Sequence, residues 1–246
     1  MLIPGLSSSR ETWKVTADRL KDRNRLHLVQ VAGFAGEPAR ANVGADGEVF
    51  VPVADAIDGY IAGLKAGKVL LAGHSLGGTL SLYLAQQHPE HLKKVLLVDA
   101  LSFYGYAMGA QTVAQAKPIA EAMLKAPRTV GGADAQVRSM AVNKIDQDRI
   151  IGWGHLSDQD TVMRAMAEDI VLDLQPGLPA MTTPVTILHP DNIGLGLAPG
   201  LYHTYYQNAY RGQPAIKLVE IKGAQHFIMF DQPAAFAAAF DAWLAD

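Results

Sequence analysis

Short apolar runs alternate with longer stretches of helical period along most of this 246-residue chain. The apolar runs have the length and composition of β-strands: "MLIPG", "RLHLVQVAG", "KVLLAG", "LKKVLLVDA", "TPVTILHP" and "IKLVEIKG". "KVLLAG" and "LKKVLLVDA" are apolar on both faces, which is typical of strands inside a parallel sheet. The segments between the runs, such as residues 51–64, repeat their apolar residues at helical spacing. The pattern predicts an α/β fold with a mostly parallel sheet of about six strands and helices on both faces.

The alternation is interrupted once. Between residues 101 and 179 the patterns are helical, as in "TVAQAKPIAEAMLKA" and "SDQDTVMRAMAEDIVLDL", and we find no convincing strand. Strand patterns resume with "TPVTILHP". We therefore expect one core made of residues 1–100 and 180–246, with residues 101–179 inserted as a helical lid.

Composition narrows the class of partner. The chain has 24 acidic and 21 basic residues, a formal net charge of −3 and no basic run, so we expect it to bind neither nucleic acid nor an anionic membrane. It has no cysteine, and its eight histidines show no metal-binding spacing, so we expect no metal. We expect no organic cofactor either. A small neutral molecule is the expected partner, and the oligomeric state is left undefined.

The N-terminus carries no signal-peptide pattern, and no stretch reaches the roughly 20 apolar residues of a membrane helix. We expect a soluble protein, cytoplasmic by default. The chain begins inside an apolar run, however, which leaves open that residues preceding Met1 are missing from it.

The stretch "LLAGHSLGG" contains the pattern GxSxG at residues 73–77, centred on Ser75. An apolar strand ends just before it, and an apolar helix begins near Leu76, so the pattern has the strand, sharp turn and helix of a nucleophile elbow. A phosphate-binding loop is the competing interpretation, but the lysine of GxxxxGK[ST] is missing and GxGxxG is not matched. The context favours Ser75 as a reaction nucleophile.

The chain resembles the α/β-hydrolase family over nearly its whole length, from "LIPGL" through "GHSLGG" and "VLLVDA" to "AQHFIMFDQP". The resemblance implies a histidine base in the loop before the last helix, where His226 lies. It also implies an oxyanion hole built from the backbone N–H groups of Leu76 and Leu6, although Pro4 stands where many relatives have histidine. The family's sheet commonly has eight strands, and the first two have no room in this chain.

The resemblance leaves two candidates for the acid that orients the base. Asp191 follows the strand after the lid and keeps the usual order of serine, aspartate and histidine, so it is favoured. Its spacing from that strand is short for the family. Asp99, at the end of "KVLLVD", is the alternative because some relatives use an acid at that earlier strand.

These residues predict a serine hydrolase, similar to carboxylesterases, that cleaves small to medium esters through an acyl-enzyme on Ser75. The lid methionines could line an apolar acyl pocket or simply pack the lid helices together. The same fold hosts other chemistry, so three alternatives stay open. They are other hydrolysis or lyase reactions (a carbon–carbon bond hydrolase, hydroxynitrile lyase or aminopeptidase), a perhydrolase, and a small-molecule receptor that retains the same residues.

Overall fold

A five-stranded parallel sheet forms the centre of the computed structural model, which describes residues 1–42, 47–192, 196, 198–213 and 215–246. The strands lie side by side in chain order: β1 (Leu2–Ile3), β2 (Val69–His74), β3 (Leu92–Val98), β4 (Val185–Pro190) and β5 (Lys217–Ile221). All four neighbouring pairs are parallel. The carboxyl ends of β2, β3 and β4 therefore meet at one edge of the sheet, where parallel α/β folds bind ligands.

The sixth strand predicted from "RLHLVQVAG" is reduced to one bridge. Leu28 pairs in parallel with Leu2, supported by hydrogen bonds from Leu2 N to His27 O (2.8 Å) and from Val29 N to Leu2 O (2.9 Å). Its neighbour in the sheet, β1, is two residues long, so the pairing with β1 cannot extend further. The expectation of about six strands is corrected to five strands and this bridge.

Ten α-helices connect and cover the strands within the described residues. Those outside residues 101–179 are α1 (Lys14–Leu20), α2 (Phe50–Gly63), α3 (Leu76–Gln87), α8 (Leu201–Ala209), α9 (Ile228–Asp231) and α10 (Pro233–Ala245). Those between residues 101 and 179 are α4 (Val113–Lys125), α5 (Asp134–Arg138), α6 (Lys144–Leu156) and α7 (Gln159–Val171). None of the described helices combines the length and apolarity needed to cross a bilayer.

The two faces of the sheet carry separate buried clusters. Successive residues of a strand point to opposite faces, so Val95 and Leu97 join the cluster beneath α2 and α3, whereas Leu96 and Val98 join the one beneath α10. All four side chains have no solvent exposure. This double burial explains why β3 is apolar at nearly every position.

The helical segment 101–179 has a third cluster of its own. It consists of Phe103, Ala110, Ala116, Ala120, Ala167 and Ile170, which lie on α4, α7 and the loop before them. Met108, Met123 and Met166 pack against this cluster, and Met140 packs against the α10 cluster. These four methionines therefore help to hold the helices together, the simpler of the two roles considered for them.

Candidate active site

Ser75 lies at the turn between β2 and α3 with φ +52° and ψ −125°. A positive φ is costly for a residue with a side chain and persists only where surrounding contacts enforce it. Here the Ser75 backbone N–H donates to Val98 O on β3 (2.9 Å), and its carbonyl accepts from Gly78 N (2.7 Å) and Thr79 N (3.0 Å) at the start of α3. Ser75 thus has the strained backbone expected of a nucleophile elbow.

The glycines around Ser75 are required by close packing. A Cβ on Gly73 would lie 2.0 Å from Gly77 O, and one on Gly77 would lie 2.4 Å from Pro4 O. A Cβ on Gly78 would lie 2.4 Å from the Cβ of Ala100. These distances are far shorter than real Cβ contacts, so the tight passage from strand to helix depends on glycine at all three positions, as the sequence pattern predicts.

His226 is held beside this turn through the residue that precedes the serine. The fully buried His74 donates its Nε2–H to the backbone carbonyl of His226 (3.0 Å), and the two imidazole rings lie 4.6 Å apart. Burial, followed by the neighbouring His226, lowers the pKa of His74 to about 3, against weaker opposing effects of this hydrogen bond and of Asp99. His74 is therefore a neutral residue that packs against His226 and hydrogen-bonds to it.

The carboxylate bound to His226 belongs to Asp99. Its Oδ2 lies 2.6 Å from Nδ1 of the imidazole, and because a carboxylate only accepts, Nδ1 carries the proton and Nε2 is left with the lone pair. Asp99 directly follows β3, has φ +46°, and receives a hydrogen bond from Tyr206 at Oδ1 (2.5 Å). The order of residues favours Asp191 as the orienting acid, but the geometry favours the alternative, Asp99.

Asp191 directly follows β4, the strand next to β3, and is buried. Its Oδ2 accepts a hydrogen bond from the backbone N–H of Gly223 (3.0 Å), in the loop after β5. Asp191 therefore helps to hold the loop that leads to His226. Asp191 thus contacts the loop after β5, whereas Asp99 contacts the imidazole of His226.

Electrostatics keep Asp99 ionised. Burial alone raises the pKa of this carboxyl, but the neighbouring His226, the hydrogen bond from His226 and the hydrogen bond from Tyr206 together outweigh that effect. The net result is a pKa below the usual range. A buried carboxylate with two donors is suited to hold one imidazole tautomer and to stabilise an imidazolium.

The two residues predicted to supply oxyanion donors lie on either side of Ser75. Leu76 is the first residue of α3, so its N–H has no partner within the helix and lies at the positive end of the helix dipole. The loop containing Leu6 approaches from the other side, because a Cβ on Gly5 would lie 3.0 Å from the Cβ of Ser75. The use of these two N–H groups for an oxyanion stays a prediction.

Two residues near the site are not identified by the sequence pattern. Tyr206, fully buried on α8, is the second hydrogen-bond donor to Asp99, and nothing in the local sequence distinguishes it from the other tyrosines of that helix. Asp169 on α7 is also buried. The sequence does indicate this residue, because it lies on the same helix face as the apolar Val162 and Ala165, where a carboxylate is unexpected.

Asp169 has an unusual environment. The hydroxyl of Thr79, on α3, donates a hydrogen bond to its carboxyl group, but Oδ1 has no hydrogen-bond partner among the described residues. Burial raises the pKa of Asp169 to about 7, and the hydrogen bond from Thr79 offsets only part of this effect. The carboxyl is therefore divided between its neutral and charged forms near neutral pH.

This raised pKa predicts a pH-dependent cost to stability. In the unfolded chain Asp169 loses its proton near pH 4, whereas the folded protein keeps it to about pH 7, so stability falls as the pH rises between these values. Asp169→Asn stays neutral and should be more stable than the wild type at pH 8, by about 4 kcal/mol at most. Urea unfolding of both proteins at pH 5 and pH 8 measures the difference.

The exposed Asp160, on the same helix, provides the control. Its side chain is 65% exposed, so Asp160→Asn removes a carboxyl group of the same helix without relieving a buried one, and it should be no more stable than the wild type at pH 8. Parallel pH profiles for wild type and Asp169→Asn would contradict the assignment of a proton to Asp169 in the folded protein.

Comparison with known proteins identifies the family of this chain. A sequence profile described as "Alpha/beta hydrolase family" matches residues 1–239. The chain belongs to this family. Among other alpha/beta hydrolases, it is similar to the thermophilic esterase from Thermogutta terrifontis, with a TM-score of 0.77, 20% identity, and coverage of 99% of this chain and 88% of the esterase. At that identity the likeness concerns the fold.

Two curated relatives align over almost the whole chain. One is (Lyso)-N-acylphosphatidylethanolamine lipase from Mus musculus, 23% identical over 97% of this chain and 76% of the lipase. The other is N-formylmaleamate deformylase from Pseudomonas putida, 23% identical over 99% of this chain and 87% of the deformylase. This alpha/beta hydrolase is thus related to proteins named for hydrolysis of different compounds.

Proposed function

We propose that this protein is a serine hydrolase that cleaves small to medium carboxylic esters through an acyl-enzyme on Ser75. The observation that carries the proposal is the 2.6 Å hydrogen bond between Asp99 and Nδ1 of His226, whose backbone carbonyl accepts a hydrogen bond from His74, the residue before Ser75. A proton on Nδ1 leaves Nε2 free to act as a base, which is what a serine hydroxyl needs to become a nucleophile.

The proposed reaction begins when Ser75 Oγ attacks the ester carbonyl carbon and gives its proton to Nε2 of His226. The oxyanion that forms is stabilised by the N–H groups of Leu6 and Leu76, and Asp99 stabilises the imidazolium. The imidazolium then protonates the departing alkoxide, which leaves an acyl group on Ser75. Water, deprotonated by the same Nε2, attacks the acyl group, and the acid is released as Ser75 regains its proton.

No residue in this sequence of steps requires a metal or an organic cofactor. The helical segment 101–179 is proposed to act as the lid that defines the ester pocket. The names of the two curated relatives, a lipase and a deformylase, are consistent with hydrolysis of an acyl bond. Because one of them is a deformylase, an N-formyl amide belongs in the substrate panel as the second candidate.

The experiment combines turnover with covalent labelling. Hydrolysis of nitrophenyl acetate, butyrate, octanoate and laurate is measured beside an N-formyl amide, and the protein is treated separately with a fluorophosphonate that is mapped by mass spectrometry. We expect turnover with a chain-length optimum and an adduct on Ser75. An adduct on Ser75 without turnover would contradict the hydrolase proposal and favour the receptor alternative. A folded protein with neither an adduct nor turnover would overturn both the hydrolase and the receptor interpretations.

A further inference from the structure

Three polar side chains meet on one face of the sheet outside the candidate active site. His189 on β4 and Glu220 on β5 are paired residues of neighbouring strands, so their side chains project to the same face. His203 reaches them from α8. One ligand atom of each residue lies within 4.8 Å of the others, and Nε2 of His189 is 2.9 Å from Nδ1 of His203.

The hydrogen bonding of His189 prepares it as a ligand. Its Nδ1 lies 2.9 Å from the carbonyl oxygen of Pro190, which can only accept, so Nδ1 carries the proton and the lone pair of Nε2 faces His203. Metal-binding histidines commonly donate their other N–H in this way, which fixes the tautomer and ring orientation. The ring is further held by stacking on Tyr206, 4.7 Å between centroids, and has no solvent exposure.

The distances fit a small divalent ion after a minor adjustment. Zinc–nitrogen bonds of about 2.0–2.1 Å with tetrahedral angles separate ligand atoms by roughly 3.3 Å. The two histidine nitrogens therefore have to move apart by a few tenths of an ångström, and Glu220 has to approach. His203 and Glu220 are half-buried and can make these movements, while His189 stays fixed.

One of the three residues, His203, borders a cleft at the protein surface. His203 and Leu218 line a surface cleft of about 330 Å³, and Leu218 lies two residues before Glu220 on β5, so their side chains share a face. The histidine nitrogens and the carboxylate form a two-nitrogen, one-oxygen set, which suits zinc with water as the fourth ligand.

We propose that His189, His203 and Glu220 form a binding site for a divalent cation of the zinc class. The ion joins β4, α8 and β5 through Nε2 of His189, Nδ1 of His203 and a carboxylate oxygen of Glu220. His203 moves its ring proton from Nδ1 to Nε2 through solvent, so binding requires no net loss of a proton. The site lies behind Tyr206, the residue that donates to Asp99.

A second cluster in the described residues serves as the internal control. Asp58, His88 and His91 also lie within metal-binding distance of one another, but Nδ1 of both histidines faces the carboxylate of Asp58, at 3.5 and 2.7 Å. None of these three side chains is fully buried. This cluster is already satisfied as an ion pair, so His91→Ala removes a matched histidine without touching the proposed site.

Calorimetric titration of the tag-free, chelator-treated protein with zinc chloride tests the proposal, and cobalt absorption reports the coordination. We expect zinc to bind wild type and His91→Ala. His203→Ala and the isosteric Glu220→Gln should each bind it more weakly, with a loss at least as large as the roughly 10- to 100-fold contributed by outer-shell partners. Circular dichroism checks that each variant is folded. Absence of zinc binding by wild type, or binding of wild-type strength in both His203→Ala and Glu220→Gln, would overturn the site.

Discussion

Replacing Ser75 by alanine is expected to lower kcat for ester hydrolysis by about a million-fold, the scale seen when the nucleophile of a serine hydrolase is removed. The substitution deletes the only atom proposed to form the acyl-enzyme. The backbone donors and the binding pocket remain, so a small rate above the uncatalysed reaction should persist. Steady-state hydrolysis of the best nitrophenyl ester, with active-site titration to exclude wild-type contamination, measures the loss.

Ser81 offers a matched control on the same helix. Its buried hydroxyl donates to Gly77 O (2.6 Å), within the first turns of α3, and has no proposed part in the reaction. Ser81→Ala should therefore lower stability modestly and leave kcat close to the wild-type value. Wild-type turnover by Ser75→Ala would mean that another group is the nucleophile and would end the proposed mechanism.

Asp99→Asn is expected to lower kcat by about ten-thousand-fold, the effect of forcing the wrong tautomer on a catalytic histidine. Tyr206 donates to Oδ1 of Asp99, so in the variant the amide oxygen takes that position and the NH₂ group faces His226. Nδ1 must then accept and Nε2 must carry the proton, which removes the base. Asparagine tolerates the positive φ of position 99, so the backbone should be retained.

Asp191→Asn is the comparison that decides between the two aspartates. The amide oxygen of asparagine can still accept from Gly223 N, so kcat should stay near the wild-type value. Both variants are assayed on the same ester, and their pH–rate profiles are recorded. A large loss in Asp191→Asn with little loss in Asp99→Asn would reverse the assignment of the orienting acid.

The uncertainty between these aspartates shows what a sequence can and cannot predict about this site. Ser75 and its glycines form a local strand–turn–helix pattern, and His226 has a fixed place before the last helix, so both are identifiable from the chain. Asp99 and Asp191 instead follow neighbouring parallel strands, β3 and β4, and thus end at the same edge of the sheet. Which carboxylate turns toward the imidazole depends on contacts distant in sequence, such as the hydrogen bond from Tyr206.

The fold shows the same division between local and distant effects. The apolar runs of β2, β3 and β4 identify buried strands because burial on both faces leaves a continuous pattern. The run "RLHLVQVAG" has an equally good strand pattern, but its extent depends on its neighbour. Since β1 offers only Leu2 and Ile3 for pairing, that run contributes the single bridge at Leu28.

The separate cluster of the helical segment 101–179 has a consequence for how new specificities could be engineered. Phe103, Ala116 and Ile170 pack among themselves and their helical neighbours and belong to neither of the clusters on the sheet faces. Other residues of the segment do belong to those clusters: Leu101, Ala165, Leu174 and Leu178 to the one beneath α2 and α3, and Ala141 and Ile150 to the one beneath α10. Domain-exchange chimaeras should therefore retain a folded scaffold when they keep these six residues together with the strands and their turns. In such chimaeras the sheet and its turns would keep the same catalytic residues, and the exchanged segment would change which substrates are accepted.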